Sequence, residues 1–83
     1  MNQTTTKNKV FEILEDICAF EIRDDTQELI LDLKLDSLKM VMLLVMIEDS
    51  FEIELEESDM NPFLLITVED VIHLVQKYLG TED

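Results

Sequence analysis

The sequence predicts an all-α fold in a single small domain, and three observations favour that class. The 83 residues include one glycine and one proline, so turn signals are scarce. Hydrophobic residues make up 47% of the chain, which is enough to build a core. Three segments repeat apolar residues at the spacing of a helix face. We expect residues 1–83 to form one domain, with frayed ends at about 1–4 and 80–83.

The first predicted helix spans about residues 5–20. Its apolar residues recur at helical spacing and are Val10, Phe11, Ile13, Leu14, Ile17 and Cys18. The hydroxyl of Thr4, Thr5 or Thr6 is suited to cap its first turn. Cys18 continues the apolar stripe, which favours a small core residue over a reactive thiol.

A long loop is predicted for residues 21–36. Charged residues interrupt its leucines, which are Leu29, Leu31, Leu33 and Leu35. Their alternation also fits a strand, but no other segment supplies a partner strand. A loop of this length in a compact domain usually wraps the core or serves a function.

The second predicted helix, at about 37–50, carries two apolar stripes. One is expected to face the core and consists of Met40, Leu43, Leu44, Ile47 and Phe51. The other consists of Leu38, Val41, Met42 and Val45. A helix in so small a domain seldom buries both stripes. Either loop leucines cover the second stripe, or it is an exposed docking surface rimmed by acidic residues, which is the interpretation we favour.

Two connecting segments follow the second helix. Residues 52–57 are predicted to be a short acidic linker. Residues 60–66 are briefly apolar, and Asn61 and Pro62 are suited to start a turn or a short third helix.

The last helix is predicted from a clean apolar stripe and two end signals. The stripe consists of Val68, Val71, Ile72, Val75, Tyr78 and Leu79. Thr67 is a natural N-cap with Asp70 three residues on, and Gly80 is expected to end the helix. His73 falls on the opposite side, so we expect a solvated surface residue there.

The charge of the chain limits its partners. Twenty acidic residues against six basic ones give a net charge of −14. This charge repels nucleic acid and anionic membranes, and it favours proteins with Lys and Arg patches. Asp24, Asp25 and Asp32 lie close in sequence but lack the spacing and turn glycine of a calcium loop, so no metal site is expected.

Three features predict a cytoplasmic protein. Residues 1–9 are polar and do not resemble a signal peptide, and no apolar run approaches the roughly 20 residues that span a bilayer. Cys18 is the single cysteine, so it cannot form an internal disulfide.

Ser37 lies at the junction between the loop and the second helix. A hydrolytic serine needs a base, an orienting acid and oxyanion donors, and the single histidine lies on the outer face of another helix. A serine that another enzyme modifies needs only exposure beside a rigid element. A phosphodiester at this helix start would be stabilised by N–H groups and the helix dipole. Asp36 is the better candidate for the N-cap, which leaves Ser37 free.

At these residues the chain resembles the acyl carrier protein family, whose mark is Asp-Ser-Leu at the start of an apolar helix after a leucine-containing loop. Here the mark is Asp36-Ser37-Leu38. The resemblance covers nearly the whole chain, from Phe11 in the first helix to Val71 in the last. Length, acidity, helix order and the spacing from Ser37 to Thr67 add to its specificity.

The resemblance implies a four-helix bundle with a short third helix. Ser37, flanked by Asp36 and Leu38, would receive a 4′-phosphopantetheine arm from a magnesium-dependent phosphopantetheinyl transferase. The arm would hold an acyl or aminoacyl group as a thioester between a loading enzyme and a downstream synthase or transferase. The chain would then be a carrier, not an enzyme, and we expect a monomer. The positions that match the family's partner-docking residues are Leu38, Met42, Val45, Glu48, Asp49, Leu55 and Glu57.

Three positions depart from the family pattern. Lys34 stands where glycine is common, and Lys39 and Met42 stand where acidic residues are common. A lysine at a position with positive φ costs on the order of 1 kcal/mol. These departures predict a free-standing carrier of a specialised polyketide, nonribosomal peptide or aminoacyl pathway rather than a fatty acid carrier. The alternative hypothesis is an acidic helical interaction module without a prosthetic group.

Overall fold

The computed structural model describes residues 6–18 and 21–80, and this part of the chain is helical without a strand. It contains three α-helices, which are α1 (Thr6–Cys18), α2 (Ser37–Phe51) and α3 (Val68–Leu79). Two single-turn 3₁₀ helices, Glu57–Asp59 and Pro62–Leu64, lie between α2 and α3. The all-α prediction is confirmed. A 3₁₀ turn stands where a short third helix was predicted, because so brief a segment nucleates an α-helix poorly.

Helix α1 packs against both α2 and α3. Its inward residues are buried and are Val10, Ile13, Leu14 and Cys18. Cys18 is 6% exposed, which confirms the predicted core position. Thr6 is the first helical residue of α1. The other predicted caps, Thr4 and Thr5, lie outside the described residues, and so does the predicted extension of the helix to residue 20. The ends predicted to fray, at 1–4 and 81–83, also lie outside them.

The inner faces of α2 and α3 complete the core. The buried residues of α2 are Met40, Leu43, Leu44 and Ile47. Those of α3 are Val68, Val71, Ile72 and Val75. Phe51 and Tyr78 are half-buried at the edge of the core, and Leu79 is exposed. His73 is exposed on the outer side of α3, as the periodicity predicts.

Both ends of α3 have the predicted caps. The Thr67 hydroxyl accepts a hydrogen bond from the Asp70 N–H, and the Asp70 carboxylate accepts one from the Thr67 N–H at 3.1 Å. Burial opposes the charge of Asp70, but the N–H groups of Thr67 and Ile66 outweigh it and hold the pKa of Asp70 below its usual value. Gly80 ends the helix with φ 69°, a left-handed conformation that suits glycine.

The long loop between α1 and α2 closes over the core, as predicted. Three of its leucines are buried, and these are Leu29, Leu33 and Leu35. The Leu29 N–H donates to the Ile66 carbonyl at 2.8 Å, and the Val68 N–H donates to the Gln27 carbonyl at 3.0 Å. An isolated antiparallel bridge between Glu28 and Thr67 is formed here, but no strand. The loop is therefore tied to the start of α3.

A polar cluster fixes the first 3₁₀ turn to the end of α3. The Tyr78 hydroxyl donates to the Asp59 carboxylate and accepts a hydrogen bond from the Glu56 N–H at 2.8 Å. The Lys77 ammonium lies 3.0 Å from the same carboxylate. The Tyr78 hydroxyl, and after it Lys77, hold the pKa of Asp59 below its usual value.

Tyr78→Phe is expected to lower the free energy of unfolding near neutral pH, because two hydrogen bonds are lost. The pKa of Asp59 is depressed in the folded state, so its contribution is present above the unfolded value of about 3.9 and is lost as pH falls through the folded pKa. The difference in free energy of unfolding between the wild type and Tyr78→Phe should therefore become smaller at acidic pH. Urea unfolding at about pH 7 and about pH 3 measures it.

Lys77→Met is the matched control, because it removes the ion pair, whose lysine is exposed to solvent, and leaves both tyrosine hydrogen bonds. Exposed ion pairs contribute little, so its effect should be the smaller one. If the loss of unfolding free energy in Tyr78→Phe stayed constant with pH, the pH dependence could not be assigned to the Asp59 carboxylate.

Candidate functional site

Ser37 is the first residue of α2, and its side chain is exposed. The residue before it, Asp36, is extended with φ −102° and ψ −177°. An Asp36 carboxylate oxygen accepts a hydrogen bond from the Lys39 N–H at 2.9 Å, and the Asp36 carbonyl accepts one from the Met40 N–H. Asp36 is thus the N-cap, as predicted, and the Ser37 hydroxyl is not used for capping.

The start of α2 retains donors for an anion. The first N–H groups of a helix lack partners within the helix. Asp36 satisfies that of Lys39, and within the described part of the chain nothing accepts from the N–H groups of Ser37 or Leu38. The positive end of the helix dipole adds to the attraction. A phosphate ester on Ser37 would meet favourable electrostatics here.

Lys34 has a left-handed backbone with φ 62°. Its neighbours Leu33 and Leu35 are both buried, and the Leu35 N–H donates to the Leu29 carbonyl at 3.0 Å. This position is the one at which the family resemblance expects glycine. The left-handed turn is therefore formed with a lysine in place of glycine, and the backbone strain lowers the stability of the fold by about 1–2 kcal/mol.

The second stripe of α2 forms an exposed apolar face, as predicted. We call it the α2 outer face, and its residues are Leu38, Val41, Met42 and Val45. Leu38 is 70% exposed and Met42 is 44% exposed. Asp49 is exposed and Glu48 is half-buried at the far end of this face. Large apolar side chains grouped in this way are typical of interaction surfaces.

Two of the predicted docking residues, Leu55 and Glu57, lie after α2. The prediction for Leu55 is wrong. Leu55 is only 6% exposed and belongs to the core. Its N–H donates to the Glu48 carboxylate at 2.8 Å, which turns the chain back and carries the Leu55 side chain inward. Leu55 therefore stabilises the fold instead of contacting a partner. Glu57 is exposed on the first 3₁₀ turn.

A second exposed apolar surface was not assigned from the sequence. Its residues are Ile30, Leu31, Phe63, Leu64 and Ile66. Phe63 is 78% exposed. The one signal in the sequence was an apolar run after Pro62 that is too short for helical periodicity to resolve. Ile30 and Phe63 line a small cleft of about 20 Å³ together with Ser37 and Met40.

The acidic loop between α1 and α2 lines an open depression. An open depression of about 510 Å³ is lined in part by Asp24, Asp32 and Arg23. Across residues 6–18 and 21–80, no group of three or more His, Cys, Asp or Glu side chains is arranged to hold a metal ion. None of the described helices is long and apolar enough to cross a membrane.

Comparison with known proteins bears on the exposed serine. Residues 8–80 match the family model described as phosphopantetheine attachment site. The chain is also similar to the acyl carrier protein of Campylobacter concisus (strain 13826), with 31% identity over 74 residues, 82% of this chain and 94% of the relative. The chain belongs to the acyl carrier protein family.

Membership in the acyl carrier protein family establishes a carrier role and a covalently attached 4′-phosphopantetheine group. The described residues fit such a group, because an exposed hydroxyl stands beside two N–H donors at the positive end of a helix. The alternative hypothesis of an interaction module without a prosthetic group is not favoured by this match.

Lys34→Gly is expected to raise the free energy of unfolding by about 0.5–1 kcal/mol. Glycine removes the left-handed strain of about 1–2 kcal/mol but loses more conformational freedom on folding, which offsets part of the gain. Chemical denaturation at neutral pH measures the change.

Lys34→Ala is the control, because it removes the charged side chain but keeps the strained Cβ. The alanine variant should lie within about 0.5 kcal/mol of the wild type. Equal stabilisation by glycine and alanine would show that the charge, and not the backbone, is responsible.

Proposed function

We propose that Ser37 is the attachment residue and that the chain presents an acyl or aminoacyl group to partner enzymes. The observation that carries the proposal is the exposed Ser37 hydroxyl directly after an N-cap that Asp36 supplies. When bound, the 4′-phosphopantetheine arm supplies the thiol that holds the cargo as a thioester. Residues 1–83 would act as one carrier domain.

The roles of the neighbouring residues follow from their contacts. Asp36 fixes the direction of the first turn of α2 and so positions the serine oxygen. The N–H groups of Ser37 and Leu38 are suited to stabilise the phosphodiester. No hydrogen bond reaches the Ser37 hydroxyl from a described residue. Activation of the hydroxyl therefore falls to the phosphopantetheinyl transferase.

The α2 outer face is the proposed docking surface. Leu38, Met42 and Val45 would contact the apolar centre of a partner, and Val41 extends this centre. The exposed carboxylates of Asp49 and Glu57, with that of Glu48, would meet Lys or Arg side chains on the partner. The net charge of −14 favours encounter with such basic proteins.

The proposed pathway is a specialised one. Met42 makes the α2 outer face apolar at a position where acidic residues are common in the family, and Lys39 adds a positive charge beside it. Partners that bind the α2 outer face would need a binding surface that is more apolar and less positively charged than the binding surfaces of the partners of a fatty acid carrier. The loading enzyme and downstream synthase would belong to polyketide, nonribosomal peptide or aminoacyl chemistry. The 3₁₀ turn Pro62–Leu64 would take the place of the family's third helix.

Ser37→Ala is expected to abolish the mass gain that the wild type shows with coenzyme A, magnesium and a promiscuous phosphopantetheinyl transferase. The alanine variant lacks the oxygen that forms the phosphodiester. Intact-mass spectrometry measures the adduct. Ser58→Ala is the control, because Ser58 is also exposed and lies in a 3₁₀ turn rather than at the start of α2. An adduct on Ser37→Ala, or none on the wild type, rejects the proposed attachment site.

Met42→Glu is expected to lower kcat/KM for transfer by a partner enzyme at least about tenfold, because a charge is placed at the centre of an apolar contact. Its free energy of unfolding should stay within about 0.5 kcal/mol of the wild type, since the side chain is exposed. His73→Glu is the control, with an acidic residue added on the outer side of α3 instead. Equal losses in both variants would reject the α2 outer face as the docking surface.

A further inference from the structure

Two positive charges flank Ser37 in a chain that is otherwise strongly acidic. The chain has six basic residues against twenty acidic ones, and two of the six lie close to the serine in sequence. Lys34, three residues before Ser37, is exposed on the loop, and Lys39, two residues after it, is half-buried on the first turn of α2. The junction between the loop and α2 therefore carries a higher share of positive charge than the rest of the chain.

The ammonium groups of Lys34 and Lys39 have no hydrogen-bond or ion-pair partner among the residues that the structure describes. The carboxylates near them in sequence bond to backbone N–H groups instead. Asp36 accepts from the Lys39 N–H at 2.9 Å, and Asp32 accepts from the Glu28 N–H at 2.8 Å. The ammonium groups of three other lysines do have partners, which are the Phe11 ring for Lys7, the Ser50 carbonyl for Lys9 and the Asp59 carboxylate for Lys77.

The backbone of Lys34 adds a second observation. Its φ of 62° is left-handed, a conformation that glycine adopts readily and that lysine adopts only with strain. Burial of Leu33 and Leu35 explains why the turn forms, but not why a lysine occupies it. Strained residues cluster at functional sites. A role for the charged side chain of Lys34 would explain why the strain is kept.

The prosthetic group would supply an anion at this junction. The 4′-phosphopantetheine arm is joined to its serine by a phosphodiester, which carries one negative charge. The net charge of −14 and the Asp36 carboxylate on the preceding residue would both repel that charge. Positive charges close to Ser37 would offset the repulsion.

Both lysines lie within reach of such a group. Lys39 is about 3 Å from Ser37 along the helix axis, and side chains of an α-helix lean toward its start. The Cα atoms of Lys34 and Ser37 are at most about 11 Å apart, because three residues span no more. The flexible four-carbon stem of lysine can extend toward a phosphate over the end of the helix.

We propose that Lys34 and Lys39 are the counter-charges of the phosphodiester, and that they hold the first part of the arm against the junction between the loop and α2. The inference rests on the proposed attachment at Ser37. Attachment would then stabilise the fold, whereas without the two lysines it would only add to the negative charge of the chain.

The main test compares urea unfolding of the full chain with and without the arm at low salt. Intact mass first verifies one adduct on the wild type and none on Ser37→Ala. Attachment should raise the urea midpoint of the wild type. In the double variant Lys34→Gln with Lys39→Gln it should lower the midpoint, and the two changes should differ by about 0.5 M urea. In about 1 M NaCl, where the Debye length is about 3 Å, the difference should disappear.

Two controls make the test specific to these charges. Lys77→Gln removes a positive charge in the last turn of α3, where the ammonium group is paired with Asp59, so attachment should still raise its midpoint. Lys34→Arg with Lys39→Arg keeps both charges and should behave as the wild type. Because each variant is compared with itself before and after attachment, changes in its own stability cancel.

A second readout needs no variant. In ¹³C NMR spectra of the wild type, the Cε signals of Lys34 and Lys39 should move on attachment, and the movement should shrink in about 1 M NaCl. The Cε signal of Lys77 should stay in place.

The outcomes separate this inference from the proposed attachment. A missing adduct on the wild type, or an adduct on Ser37→Ala, rejects Ser37 as the attachment residue and the role of the lysines with it. A verified adduct that changes the urea midpoint equally in the wild type and the double glutamine variant rejects the role of the lysines alone. Equal movement of all three lysine signals would also reject it, because the effect would then come from the total charge of the chain.

Discussion

Burial of three loop leucines is the constraint on which the rest of the structure depends. Leu29, Leu33 and Leu35 close the core from the side of the loop. Each buried leucine contributes about 1.5–3 kcal/mol, which exceeds the strain of about 1–2 kcal/mol at Lys34. The left-handed turn is therefore tolerated, and it delivers Asp36 to the N-cap position and Ser37 to the surface. The Ser37 hydroxyl is placed at the surface by apolar burial several residues before it.

The two faces of α2 differ in what they contribute to the stability of a small domain. The inner face, with Met40 and Leu43 at its start, is almost fully buried. The α2 outer face leaves four large apolar side chains in water, which stabilises nothing in the isolated domain. A net charge of −14 opposes association between copies and keeps such a face available. High acidity and an exposed apolar stripe are thus complementary properties of a carrier.

Periodicity was sufficient to place the three helices, and local residues were sufficient for the N-cap of α2 and both caps of α3, because those features are encoded locally. Thr67, Asp70 and Gly80 act within one turn of their own positions, so sequence spacing predicts them. The burial of Leu55 depends on a hydrogen bond to Glu48 seven residues earlier, and no periodic pattern encodes that reversal. The same limit applies to Phe63, whose exposure follows from tertiary placement of a 3₁₀ turn. Ser37 could be proposed as the attachment residue from the sequence because its motif coincides with a helix start.

The position of Ser37 on α2 separates the two apolar surfaces. With about 100° between successive residues, Met40 lies on one side of the serine and Leu38 and Val41 lie on the other. The cleft with Ile30 and Phe63 lies on the Met40 side, and the α2 outer face begins on the opposite side. A partner that bound the α2 outer face would therefore leave the Met40 side of the serine uncovered.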